Sequence, residues 1–136
     1  MRVSFFLLAF LIISCKSKPD IELEQYKNQG EVLYTKYCSN CHQKDGSGLG
    51  LLYPPINKSD FIDNNFGEVI CIMRYGKSTP TVVNGKTFNQ PMKGVTALTD
   101  LDVAEIATYI YNTWDRSRGI VKVDEVAAQM NNCKQE

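Results

Sequence analysis

The chain has 136 residues, 43% of them hydrophobic and 22% charged, and its 15 Lys and Arg balance 15 Asp and Glu. That length holds one small domain beyond any leader, and zero net charge lacks the basic footprint of a nucleic-acid binder. The distinctive chemistry is confined to a single histidine and five cysteines, at positions 15, 38, 41, 71 and 133.

Residues 1–14 read as a signal peptide. Arg2 supplies the positive start, and residues 3–13 form an almost unbroken apolar run, too short to span a bilayer and right for a signal core. The run ends in Ile12, Ile13, Ser14 and Cys15, which resembles a bacterial lipoprotein signal, with Cys15 lipidated and first in the mature chain. The plainer alternative is an ordinary secretory signal or an uncleaved anchor with an incidental Cys15. Residues 15–24, with Pro19 and mixed charges, are then a lipidated N-terminus and extended tether. Several acyl chains hold a protein at a bilayer where one is marginal. A domain over 25–115 and a C-terminal extension over 116–136 complete the division.

A helix is expected over 22–37, with Tyr26, Val32, Leu33 and Tyr37 among its apolar positions. Gly30 inside it costs about 1 kcal/mol relative to Ala, and close approach of another helix is the usual reason for such a glycine. The helix leads into Cys38-Ser39-Asn40-Cys41-His42, the Cys-x-x-Cys-His pattern of c-type haem attachment. In that chemistry both thiols add across haem vinyl groups as thioethers, and the adjacent histidine is the proximal iron ligand. A thioredoxin-like pair would instead follow a strand in a βαβ unit. Half of a zinc site would need a second ligand pair at short spacing, whereas Cys71 and Cys133 stand alone. Bacterial haem attachment takes place outside the cytoplasmic membrane, so the motif and an export signal agree.

Residues 43–57 are expected as a loop, broken by Gly46, Gly48 and Gly50 and extended through Pro54 and Pro55. A second helix is expected over 65–75, capped by Asn65 and stopped at Gly76, with Phe66, Val69, Ile70 and Met73 as its core stripe. Asn84-Gly85 between short β-favouring runs signals a hairpin over 81–88, and 90–94 reads as a loop. The clearest helix spans 99–114, opening on Thr99 with Asp102 as a capping box. Val103, Ala107, Ile110 and Trp114 make its main face. A short last helix is expected over 124–132.

With one histidine, a second imidazole ligand within the chain is excluded. The candidates for the other axial position are Met73, Met92, Met130, a lysine, a tyrosine or nothing. Met73 lies on a core stripe and Met130 near the C-terminus. Met92, in a loop beside Pro91 and Gly94, has little packing reason to be there and is the preferred ligand. His and Met together fill both axial sites and raise the reduction potential, which favours electron transfer over catalysis.

From Gly30 to Trp114 the order of features resembles a small class I cytochrome c domain. The resemblance rests on Gly30 and Tyr34, the Cys38–His42 motif, the glycine loop with Pro54-Pro55-Ile56, Met92, and the aromatic segment from Tyr109 to Trp114. It implies an all-α fold wrapped around one covalently attached haem c, with Gly30 at a crossing of the first and last helices. It also implies that a carbonyl at Pro54 or Pro55 accepts a hydrogen bond from the His42 ring. One departure is Lys93, where the family often has proline after the ligand methionine.

Cys71 and Cys133 remain. At 100° per residue Cys71 points about 150° away from its helix's core stripe, so it is expected to face away from the haem. The pair forms either a disulfide pinning the extension or two free thiols. The functional expectation is a monomeric, lipid-anchored electron carrier on the outer face of a bacterial membrane or in the periplasm. It would serve an oxidase, dehydrogenase or reductase, with no nucleic-acid partner. Lys44, Lys77, Lys86 and Lys93 are candidates for docking, though a neutral chain steers weakly. The alternatives are a haem c enzyme or gas sensor with a labile sixth ligand, and a structural lipoprotein without haem.

Overall fold

A computed structural model describes residues 18–133, so the signal peptide over 1–14 and the lipidation site Cys15 lie outside the described residues. Helix α1 (Lys18–Tyr37) leads into the single turn α2 (Ser39–His42). After a long loop come α3 (Asp60–Asn64), α4 (Phe66–Tyr75), and the short strands β1 (Gly76–Lys77), β2 (Thr81–Val83), β3 (Lys86–Phe88) and β4 (Met92–Lys93). Helices α5 (Asp100–Ile110) and α6 (Val123–Met130) complete the described chain.

The segment expected as an extended tether is helical from Lys18 onward. Nothing after Pro19 breaks a helix. A proline in the first turn loses no intrahelical bond, and Asp20 suits the positive end of the dipole. The buried face of α1 is narrower than expected. Gly30, Leu33 and Tyr34 face inward with Tyr26 partly buried, while Val32 is 60% exposed and Tyr37 also reaches solvent. Positions 26, 30, 33 and 34 form one stripe of a 3.6-residue helix, and Val32 lies off it.

That stripe crosses α5. A Cβ on Gly30 would overlap the carbonyl oxygen of Glu105 and come within 2.8 Å of Tyr109 Cβ, so only glycine lets the two backbones meet. Beside the crossing, the rings of Tyr34, Tyr109 and Trp114 form a triangle with centroids 5.3 to 5.7 Å apart. Helix α5 is the spine of the core: Val103, Ala104, Ile106 and Ala107 are fully buried. The capping box forms as written in the sequence, Asp102 N–H donating to Thr99 Oγ1 and Thr99 N–H to Asp102 Oδ2.

The helix stops at Ile110, four residues short of the expected Trp114. Asn112 turns the chain there: its Nδ2 donates to the carbonyls of Thr108 and Gly119, and its Oδ1 accepts from Gly119 N–H. Trp114 and Asp115 then adopt positive φ, which ends any helix.

Helix α3 is additional to the expected elements. Ser59 caps it through Ile62 N–H, and Asn84 of the hairpin turn exchanges two hydrogen bonds with Asp60, 2.7 and 3.0 Å long. At the start of α4, Asn65 stands at the cap position but its Nδ2 donates back to Phe61 O.

The fold is helix-rich, compatible with the all-α expectation, with two short antiparallel strand pairs beside the helices. The pair β2–β3 is the hairpin signalled by Asn84-Gly85, both at positive φ. The pair β1–β4 places Gly76 opposite Lys93 and Lys77 opposite Met92, so the expected loop over 90–94 is partly strand. Gly76, at φ +81°, and Gly94 permit this pairing; a Cβ on Gly94 would strike the backbone of Arg74 and Tyr75. Among the described residues no helix is long and apolar enough to cross a membrane.

Candidate haem-binding cleft

The end of α1 and the turn α2 bring three functional side chains together. Cys38 N–H donates to Tyr34 O, and the N–H groups of Cys41 and His42 both bond to Cys38 O. Helical spacing of i, i+3 and i+4 sets Cys38, Cys41 and His42 on one face. Both cysteines are free thiols, partly buried. Burial, with a smaller contribution from Cys41, pushes the Cys38 thiol up to about 12.

His42 is buried, and its Nδ1 lies 2.9 Å from the Pro54 carbonyl oxygen. A carbonyl only accepts, so Nδ1 carries the hydrogen and Nε2 keeps its lone pair. Burial holds the imidazole below its usual protonation range, and the bond to Pro54 offsets part of that. A neutral ring with one nitrogen anchored and the other free is the state a metal-ligating histidine requires. Between the two candidate carbonyls of the proline pair, the bonded one is Pro54.

The intervening loop is built to return Pro54 to His42. Gly48 N–H donates to His42 O, and the N–H groups of Ile56 and Asn57 both reach Gly46 O. The Tyr34 hydroxyl donates to Gln43 O at 2.8 Å, tying the helix crossing to the residue just after the motif. The side chains alone do not signal this link, although an aromatic four residues after Gly30 marks where to look.

His42 and both thiols open onto a cleft of about 1350 Å³, which continues inward as an apolar recess of about 90 Å³. Cys38, His42, Met73 and Met92 line both parts. Met92 is half-buried on β4, while Met73 is a core residue of α4 that also reaches the cleft. Met130 packs at the edge of the core and is not among the lining residues. Lys77 and Lys93 border the cleft, Lys77 paired with Glu68 at 2.9 Å; Lys44 and Lys86 do not.

Cys71 meets the C-terminal extension, as its place off the core stripe of α4 allows. Cys71 and Cys133 both line the cleft, joined as a disulfide with Cα atoms 5.5 Å apart. The cleft wraps far enough round α4 that a residue well off the core stripe still borders it.

These residues fit a c-type haem: two thiols, an oriented neutral imidazole and a thioether share one large, mainly apolar cleft. Among the described residues no three of His, Cys, Asp and Glu gather as a metal cluster would need. Nor is there a βαβ unit, since both strand pairs are antiparallel.

Comparison with curated proteins gives no match. The sequence model of the family described as cytochrome c oxidase, cbb3-type, subunit III matches residues 26–110, which includes the motif, the proline loop, Met92 and all of α5. The chain belongs to that family, and its matched region is a class I monohaem cytochrome c domain that carries one covalently attached haem c.

Proposed function

We propose that the protein is a membrane-tethered one-electron carrier working outside the cytoplasm in a respiratory-type electron transfer chain. Cys38 and Cys41 would hold the haem as thioethers, and His42 Nε2 and Met92 would ligate its iron. The haem contributes a ferric–ferrous couple. The hydrogen bond from His42 Nδ1 to Pro54 O carries the reading, because it fixes the tautomer and ring plane that ligation needs.

With His42 and Met92 both engaged, the haem would have no position left for a substrate, so the protein would act as a carrier and not an enzyme. Export and lipidation at Cys15 would keep it at a membrane surface, periplasmic or on the outer face, where it meets an oxidase, dehydrogenase or reductase as a monomer. The net charge of zero suits docking with little long-range steering.

Visible spectra of the oxidised and reduced protein, with haem retention after denaturation, test this together. Covalently retained haem, a methionine-ligated ferric spectrum and slow carbon monoxide binding by the ferrous protein are expected. Rapid, tight carbon monoxide binding by the native protein would replace the carrier with an enzyme or gas sensor.

A further inference from the structure

We propose that the Cys71–Cys133 disulfide is the clasp that keeps Met92 at the cofactor cleft. The inference rests on the reading of Met92 as second axial ligand. The family match ends at Ile110, so α6 and Cys133 lie beyond the matched region. That segment reaches the site: Gln129, Asn132 and Cys133 line the same cleft as His42 and Met92.

The two ends of α6 are held differently. Its start is fixed by the core, with Val121 and Val126 fully buried, Val121 N–H donating to Thr108 Oγ1 at 3.0 Å, and Arg118 paired with Glu125. Its far end lies over α4, where a Cβ on Gly67 would stand 2.7 Å from Gln129 Oε1. The disulfide is the covalent tie at that end.

Helix α4 runs without a break into β1, and β1 is the strand partner of Met92. Beyond Met92, Val95 N–H donates to Met73 O at 3.0 Å, so the methionine segment leans on α4 from both sides. A pair of two-residue strands has little stability of its own. Met92 therefore rests on α4, whose inner face is buried through Val69, Ile70 and Met73 and whose other side is braced to α6 through Cys71. Without the bond the buried inner face keeps the domain folded, while α4 loses that brace and the methionine segment resting on it gains freedom.

The test uses full-length, haem-loaded protein. Wild type is compared with Cys71→Ala/Cys133→Ala and with a chain lacking residues 131–136, which keeps α6 but not Cys133. Haem retention and far-UV circular dichroism first establish attachment and fold. Imidazole is then titrated into the ferric protein, and loss of the near-infrared methionine–iron band is followed. Both disulfide-free proteins are expected to exchange methionine for imidazole at about tenfold lower concentration, equivalent to about 1.4 kcal/mol. Glu125→Ala, which removes the ion pair at the start of α6 and leaves Arg118 stacked on Phe66 of α4, is expected to titrate like wild type.

An unchanged imidazole midpoint in a folded, haem-loaded, disulfide-free protein overturns the proposal. So does an equal shift in Glu125→Ala, which would make the bond one brace among many. Two free thiols in denatured, unreduced wild type overturn it as well. A wild type that retains haem but never shows the methionine band removes the Met92 reading, and the clasp with it, by a different signature.

Discussion

Gly30 of α1 lies directly against the carbonyl oxygen of Glu105 in α5. The contact is backbone to backbone, so no side-chain rearrangement relieves a larger residue there. Gly30→Ala gains about 1 kcal/mol of helix propensity and forces the helices apart, an overpacking penalty of about 1–3 kcal/mol. Thermal unfolding of the haem-loaded protein is expected to move down, and Gly30→Val further. A midpoint at or above wild type would show that the crossing has slack.

Met92→Ala separates attachment from ligation. Cys38 and Cys41 are untouched, so haem is expected to survive denaturation at wild-type content. The near-infrared methionine band is expected to vanish, ferrous carbon monoxide binding to become fast, and the reduction potential to fall, since methionine ligation raises it. If Met73→Ala produced these effects and Met92→Ala did not, the ligand would be the helical methionine that shares the cleft.

Tyr111 gives the fold an alkaline limit. Its hydroxyl donates to Ile62 O at 2.8 Å inside the core, and burial pushes its pKa from 10.0 to about 12. Arg118 and Arg116 pull the other way and are outweighed. The folded state thus holds a proton that the unfolded state releases, so this stability is complete below pH 10.0 and is lost as pH rises toward about 12. Tyr111→Phe is expected to lose about 1 kcal/mol at neutral pH from the missing bond, and to flatten the decline over that window. Far-UV circular dichroism against denaturant at several pH values measures both; an undiminished slope in Tyr111→Phe would assign the decline elsewhere.

Cys15 governs location in the proposed function. Cys15→Ala is expected to leave haem content and spectra unchanged, while moving the protein from the membrane fraction to the soluble exported fraction. Intact mass of the wild type should show acyl groups on an N-terminal Cys15. Recovery of unmodified wild type from the soluble fraction would remove the tether from the proposal.

What was legible in the sequence was mostly local. Cys38, Cys41 and His42 announce their chemistry because one helical turn brings them together whatever the rest of the chain does. Gly30 announced a close approach, and Glu105 proves to be its cause. The Thr99–Asp102 box and the Asn84-Gly85 turn are likewise short-range. The misses are long-range. The β1–β4 pair depends on Gly76 and Gly94 meeting across a hairpin, and two-residue strands leave no periodic pattern. Ideal helical angles put Cys71 off the core stripe but say nothing of how far a cleft extends around α4. The stop at Ile110 follows from Asn112 finding Gly119, a pairing that no hydrophobic face reports.

The α1–α5 crossing has a consequence for how the protein is made. It joins the first matched helix to the last, so a nascent or proteolysed chain that ends before residue 105 has the haem motif without the helix that buries Tyr34, and so without the anchor on Gln43. Completion of the fold is thereby deferred until almost the whole domain has been delivered.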